Sequence, residues 1–139
     1  MTLVPDPLVL DSYALLALLQ DEPGAEQVAR LIRDAQEGRA RLYMSVVNLG
    51  EVVYRTIRAF GLERALAVLA RLEELPIEAV DVDRDLALEA ARLKGRHAVA
   101  YADCLAAALA MKLGATVVTG NPEFRRLEGV ITVGWLGAG

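Results

Sequence analysis

Three carboxylates stand at similar kinds of place in this chain. Asp11 ends the apolar run Pro7-Leu8-Val9-Leu10, Glu51 lies in the helical stretch from Ser45 to Tyr54, and Asp103 opens the stretch Tyr101 to Ala110. Each is flanked by residues expected to be buried, so none reads as routine solvated charge. If the fold gathers them they repel one another, and a divalent cation is the natural remedy. Oxygen ligands of this kind suit Mg²⁺, and such sites commonly act on phosphoesters.

Each acid also has an ordinary structural explanation. Aspartate is a favoured helix N-cap, which suits Asp11 at a strand-to-helix junction. Acids are common in a first helical turn, which suits Asp103. Glu51 has Arg55 four residues on, the spacing of a surface ion pair. On a helical wheel, however, Val46, Val47, Leu49, Val53, Ile57 and Phe60 define an apolar arc, with Glu51 at its border. A fourth element, Thr119-Gly-Asn-Pro-Glu-Phe124, reads as a polar turn. Thr119 and Asn121 offer neutral oxygens there, and Glu123 a further carboxylate. Asp81 and Asp83 are expected to be a strand end and a helix cap.

The elements that must position these groups alternate in kind. Residues 7–10 read as a buried strand, followed by a helix over about 12–20. Pro23 is expected to start a second helix, with Gly38 beyond its end. Residues 42–45 form a short strand, 46–59 a helix, and 62–74 another after Gly61. Pro76 breaks that helix and 77–80 is a third strand. Asp83 caps a helix over 84–95, ended by Gly95. Residues 100–112 form the last long helix, with strands expected at 115–118 and 130–133. This alternation implies crossovers and an α/β fold with a five-stranded parallel sheet flanked by helices. Ligands of such sheets gather beyond the carboxyl ends of the strands. Asp11, Ser45 and Thr119 all follow strands directly, so the candidate groups are expected at one sheet edge.

At 139 residues, the chain is expected to be a single domain over 1–139. It is 55% hydrophobic and 24% charged, which excludes a disordered chain. No apolar run is long enough for a membrane span, and the start carries no signal-peptide pattern. The single cysteine excludes an internal disulfide framework, so a cytoplasmic location is expected. Cys104 reads as a small buried hydrophobe. One histidine and one cysteine leave no zinc cluster and no ready Cys–His nucleophilic pair. The net charge of −4 excludes a basic nucleic-acid coat. Of the 15 basic residues only Lys94 and Lys112 are lysines, and arginine forks onto phosphate.

In combination the motifs resemble a known family. Asp11-Ser12 after the first strand, Asn48-x-x-Glu51 in a middle helix, Tyr101-x-Asp103-x-x-x-Ala107 and the late Thr-Gly-x-Pro-x-Phe are similar to the PIN domain, and most of all to VapC-type toxins of toxin–antitoxin pairs. The likeness runs from about residue 7 to 134. It implies a PIN-like three-layer sandwich and a Mg²⁺- or Mn²⁺-dependent endoribonuclease, with Asp11, Glu51 and Asp103 as the catalytic metal ligands. It implies supporting or weak-ligand roles for Ser12, Asn48, Thr119 and Asn121. Asn121 departs from the pattern, since many relatives have a fourth acid there. The resemblance further implies an RNA substrate, products with a 5′-phosphate and a 3′-hydroxyl, a homodimer and a cognate antitoxin partner.

Arg55, Arg58, Arg125 and Arg126 are candidates for guiding the RNA backbone. With few aromatics, recognition by extended base stacking is not expected. Two other functions fit the same residues: a metal-dependent phosphatase and a non-catalytic PIN-like binding module. The phosphatase is disfavoured because Asp11-Ser12-Tyr13 lacks the second acid of an Asp-x-Asp nucleophile motif.

Overall fold

The computed structural model describes residues 5–137. Five strands form one parallel sheet: β1 (Pro7–Leu10), β2 (Arg41–Ser45), β3 (Ile77–Val80), β4 (Thr116–Thr119) and β5 (Thr132–Trp135), in the order β3-β2-β1-β4-β5. Six α-helices connect them: α1 (Ser12–Leu19), α2 (Ala25–Gln36), α3 (Val46–Phe60), α4 (Leu62–Glu73), α5 (Arg84–Arg96) and α6 (Tyr101–Leu113). A short 3₁₀ segment, Pro122–Leu127, lies between β4 and β5.

Strand alternation divides the core in two. Val9 and Val117 face a layer built by α5 and α6 with Phe124 and Leu127. Leu10 and Val118 face the opposite layer, which includes Leu15 and Leu16 of α1, Val28 and Ile32 of α2, Val52 and Leu72. Helix α6 is buried without a break from Asp103 to Ala110. Its alanines let it sit close to α5, α3 and the three central strands. The buried stretch of this helix, otherwise apolar, thus begins with a carboxylate. Cys104 is wholly buried in it, and burial pushes its thiol pKa up, as suits a packing residue.

Three local expectations are corrected. Helix α2 begins after Pro23, at Ala25, because Gly24 forms its N-cap with φ +99°. That conformation favours glycine, and a Cβ there would also stand 3.0 Å from the Leu136 Cβ. Gly95 does not end α5, which continues to Arg96. Strand β5 starts at Thr132, not Val130: the Val130 and Ile131 amides close onto the Leu127 carbonyl, and pairing begins at Thr116 with Thr132.

The largest correction concerns α3. Its buried residues are Asn48, Glu51, Val52 and Thr56, a mostly polar stripe at helical spacing. Much of the expected apolar arc is instead exposed: Val47, Ile57 and Phe60, joined by Tyr54. The polar stripe is buried because it faces α1 and α6, where it finds hydrogen-bond partners; apolarity alone does not reveal that.

Candidate metal centre

The sheet order places a topological switch at β1. The chain runs from β1 to β2 and β3 on one side, then returns through β4 and β5 on the other. Leu10 pairs with Val118, so the next residues, Asp11 and Thr119, leave adjacent strand ends side by side. Ser45 ends β2 and caps α3 by accepting from the Asn48 amide at 3.1 Å. The crevice at such a switch point is where open α/β sheets bind ligands.

A connected set of polar groups fills it. Asp11 caps α1, its Oδ1 accepting from the Ala14 amide at 3.0 Å. Its Oδ2 accepts from the Thr119 hydroxyl at 2.5 Å. Ser12, next in sequence, donates to Glu51 Oε1 at 2.6 Å. Glu51 Oε2 pairs with Arg55 at 3.0 Å. The Asn121 amide proton is held by Thr119 Oγ1 at 3.0 Å, and its side-chain NH₂ donates to Asp103 Oδ2 at 3.3 Å. Asp11, Glu51 and Asp103 are all buried.

One oxygen of Asp11 therefore caps a helix while the other turns into the cluster. Asn48 takes a supporting position. Its Oδ1 accepts from Ser45 at 2.7 Å and its Nδ2 donates to the Ala102 carbonyl at 3.2 Å. With both ends of the amide engaged, it ties α3 to the start of α6 and so sets Glu51 against Asp103. The oxygen of Asn121 is likewise committed, accepting from the Glu123 amide at 3.1 Å. Only the oxygen can accept from an N–H, so the NH₂ must face Asp103.

The sequence offers Glu123 as one possible carboxylate. In the fold its carboxylate lies close enough to Asp103 to raise that residue's pKa, as Glu51 does. The turn Asn121-Pro122 swings the chain so that position 123, rather than 121, brings the additional acid. A carboxylate four residues beyond the end of β4 was the available signal. Of the four arginines, Arg55 touches the cluster through Glu51. Arg58 lies over the Tyr54 ring and Arg125 over the Trp135 ring, while Arg126 donates to the Ala98 carbonyl.

The electrostatics are those of acids crowded without enough compensation. Burial pushes the Asp11 carboxyl up to about 7, with Asp103 and Glu51 adding repulsion against the Thr119 and Ala14 donors. Burial, then Glu51 and Glu123, push Asp103 up to about 7 as well. The donor set of four carboxylates with serine and threonine hydroxyls suits a hard cation. The side chains as placed do not present three acids in a ready-made ligand arrangement among the described residues. The hydrogen bonds explain why: Thr119, Ser12, Arg55 and Asn121 each hold an acid oxygen that an ion would need. The chemistry of the set fits a divalent ion, and occupancy requires these side chains to turn from their present partners.

Comparison with known proteins decides the family. The sequence model of the PIN domain matches residues 8–130. The chain belongs to the PIN domain family. No curated protein matches it by sequence. Solved structures share the fold at low identity. The DNA-bound VapBC of Salmonella typhimurium is similar at TM-score 0.71 and 24% identity, over 92% of this chain and 96% of that one. VapBC-5 of Mycobacterium tuberculosis gives 0.65 and 24%, over 96% and 100%. VapC20 of the same organism, described as a sarcin–ricin loop cleaving toxin, gives 0.68 and 20%, over 85% and 92%. The five-stranded sheet with flanking helices is thus the PIN fold of these VapBC proteins.

Asn121 gives this PIN domain a testable peculiarity. Asn121→Asp keeps an N-cap for the 3₁₀ segment but adds a charge beside Asp103 and Glu123. It is expected to raise Mn²⁺ affinity or stoichiometry and to lower the metal-free melting temperature. Calorimetric titration with Mn²⁺ and a melting curve in chelator check both. Unchanged values in both would remove Asn121 from the site.

Proposed function

We propose that this PIN domain, taken as one domain over residues 1–139, is a Mg²⁺- or Mn²⁺-dependent endoribonuclease and the toxin of a toxin–antitoxin pair acting in the cytoplasm. The observation that carries this reading is the connected cluster of Asp11, Glu51, Asp103 and Glu123 at the switch point, with two carboxyls pushed to about 7. A divalent ion bound there would supply an activated water and offset charge at the phosphate. Asp11, Glu51 and Asp103 are its proposed ligands, with Glu123 as the fourth acid. Ser12 and Thr119 orient Glu51 and Asp11, and Asn121 orients Asp103. Asn48 fixes the spacing between α3 and α6. Arg55, which pairs with Glu51, is the candidate arginine that touches the cluster and would be placed to meet the RNA phosphate. No side-chain nucleophile is required, and the only thiol is buried.

The test is cleavage of a mixed RNA pool by purified protein with Mn²⁺, with Mg²⁺ and with chelator. Metal-dependent internal cleavage is the expected result. Hydrolysis of a phosphomonoester without RNA cleavage would support a phosphatase instead. Neither RNA cleavage nor Mn²⁺ binding would leave a non-catalytic module.

The partner reading rests on the exposed face of α3 and α4. Tyr54, Ile57, Phe60, Leu62 and Leu66 are all more than a third exposed. A groove of about 350 Å³ beside them is lined by Leu19, Phe60, Val68, Arg64 and Arg71. Apolar surface rimmed by arginine suits an apolar, acidic segment such as an antitoxin tail, and further apolar surface suits a second copy. Light scattering at micromolar concentration is expected to give a dimer of the 15.0 kDa chain. A purely monomeric species would remove the homodimer. Among the described residues no helix is long and apolar enough to cross a membrane.

A further inference from the structure

Gly120 stands between the two residues that hold the acids. Thr119 donates to Asp11, and Asn121 donates to Asp103. A Cβ on Gly120 would lie 2.3 Å from Tyr13 Cε1, 2.8 Å from Cζ and 3.0 Å from the hydroxyl. The missing side chain is therefore what lets the phenol lie against this stretch of backbone. Tyr13 comes from the first turn of α1, directly after Ser12, the donor to Glu51. Its backbone is anchored on one side of the acid network and its ring rests on the other.

Ser12 and Ala14 on either side are buried, yet Tyr13 remains 36% exposed. The other aromatic side chains are committed elsewhere. Phe124 is fully buried and Tyr43 packs on the core. Tyr54, Phe60 and Trp135 each carry an arginine, and Tyr101 donates to the Ala87 carbonyl. Tyr13 is thus the aromatic ring that the fold keeps beside the carboxylates, fixed by packing and partly open.

We propose that Tyr13 is a specificity-determining residue whose ring, seated on Gly120, stacks against the nucleobase next to the scissile phosphate. This inference rests on the ribonuclease reading. A neutral ring is suited to a base rather than to phosphate, which needs a cation. Every base offers a π-face, and a ring already held in place loses little freedom on stacking. One platform at the site is compatible with a chain too poor in aromatics for extended stacking.

The experiment compares RNA oligonucleotides that are intact or carry an abasic nucleotide on either side of the mapped cleavage position. For the unmodified protein, one abasic substitution is expected to lower kcat/KM about tenfold, mostly through KM. Tyr13→Ala is expected to show that loss on intact RNA and to be indifferent to the abasic site. Tyr13→Leu, which retains apolar cover for α1, is expected to do the same. Tyr13→Phe should behave as the unmodified protein. Gly120→Ala should resemble Tyr13→Ala, and should add little further loss of kcat/KM or melting temperature in the Tyr13→Ala background. Undiminished abasic discrimination in Tyr13→Ala and Tyr13→Leu overturns the inference, as does Tyr13→Phe behaving like Tyr13→Ala. Those outcomes leave the ribonuclease reading standing. Failure of the unmodified protein to cleave RNA with Mn²⁺ overturns both.

Discussion

Asp103→Asn is expected to abolish metal-dependent cleavage while leaving the protein as stable as before, or more so at pH 8. The two effects separate because Asp103 does opposite things for function and folding. As a carboxylate it is a proposed ligand. As a buried charge beside Glu51 and Glu123 it is repelled, and its pKa is held near 7. Asparagine keeps an oxygen to accept from Asn121 Nδ2 and removes the repulsion. Loss of one group aimed at the reacting phosphate is expected to cost about 10²–10³-fold or more in rate. The check is a cleavage time course beside melting curves of both proteins. Activity and stability falling together would make Asp103 a structural residue, and retained activity would remove it from the mechanism.

The metal-free protein is expected to lose stability as the pH rises from about 4 to 7. Asp11 and Asp103 have ordinary carboxyl values of 3.8 in the unfolded chain and values of about 7 in the fold. Between those limits the folded state holds protons that the unfolded state has released. Stability therefore falls with increasing pH across this window. The favourable contribution is complete below the unfolded value and gone once the pH passes the folded value. At about 1.4 kcal/mol per unit, the Asp11 shift alone corresponds to roughly 4 kcal/mol. A divalent cation supplies the missing compensation when the carboxylates are ionised. Mn²⁺ should therefore raise the melting temperature strongly at pH 8 and little at pH 5, where protons compete for the same oxygens. Melting curves at both pH values, with Mn²⁺ and with chelator, test this. A metal-free stability flat from pH 4 to 7 would refute the crowding of these carboxyls, and no Mn²⁺ shift at pH 8 would refute the metal site.

The sequence by itself determined most of the elements and the burial of Asp11, Glu51 and Asp103. Hydrophobic periodicity is a local property, so β1, β3 and the long helices fall within a few residues of their expected bounds. The capping of α1 by Asp11 and of α5 by Asp83 is equally local, because each cap bonds an amide three residues on. What the tertiary structure decided is how the acids are held. Ser12 and Glu51 lie 39 residues apart, and Asp11 and Thr119 lie 108 apart. Their meeting depends on the order β3-β2-β1-β4-β5, which no local window encodes.

The same reason explains the misread face of α3. Its apolar arc is visible on a helical wheel, but the wheel cannot show that α1 and α6 offer hydrogen bonds to the polar side. Burial followed those partners, and Asn48 ties α3 to the start of α6. The place of Glu123 depends on the turn geometry after β4. The seat of Tyr13 on Gly120 depends on two strand ends that become neighbours only when the sheet has formed.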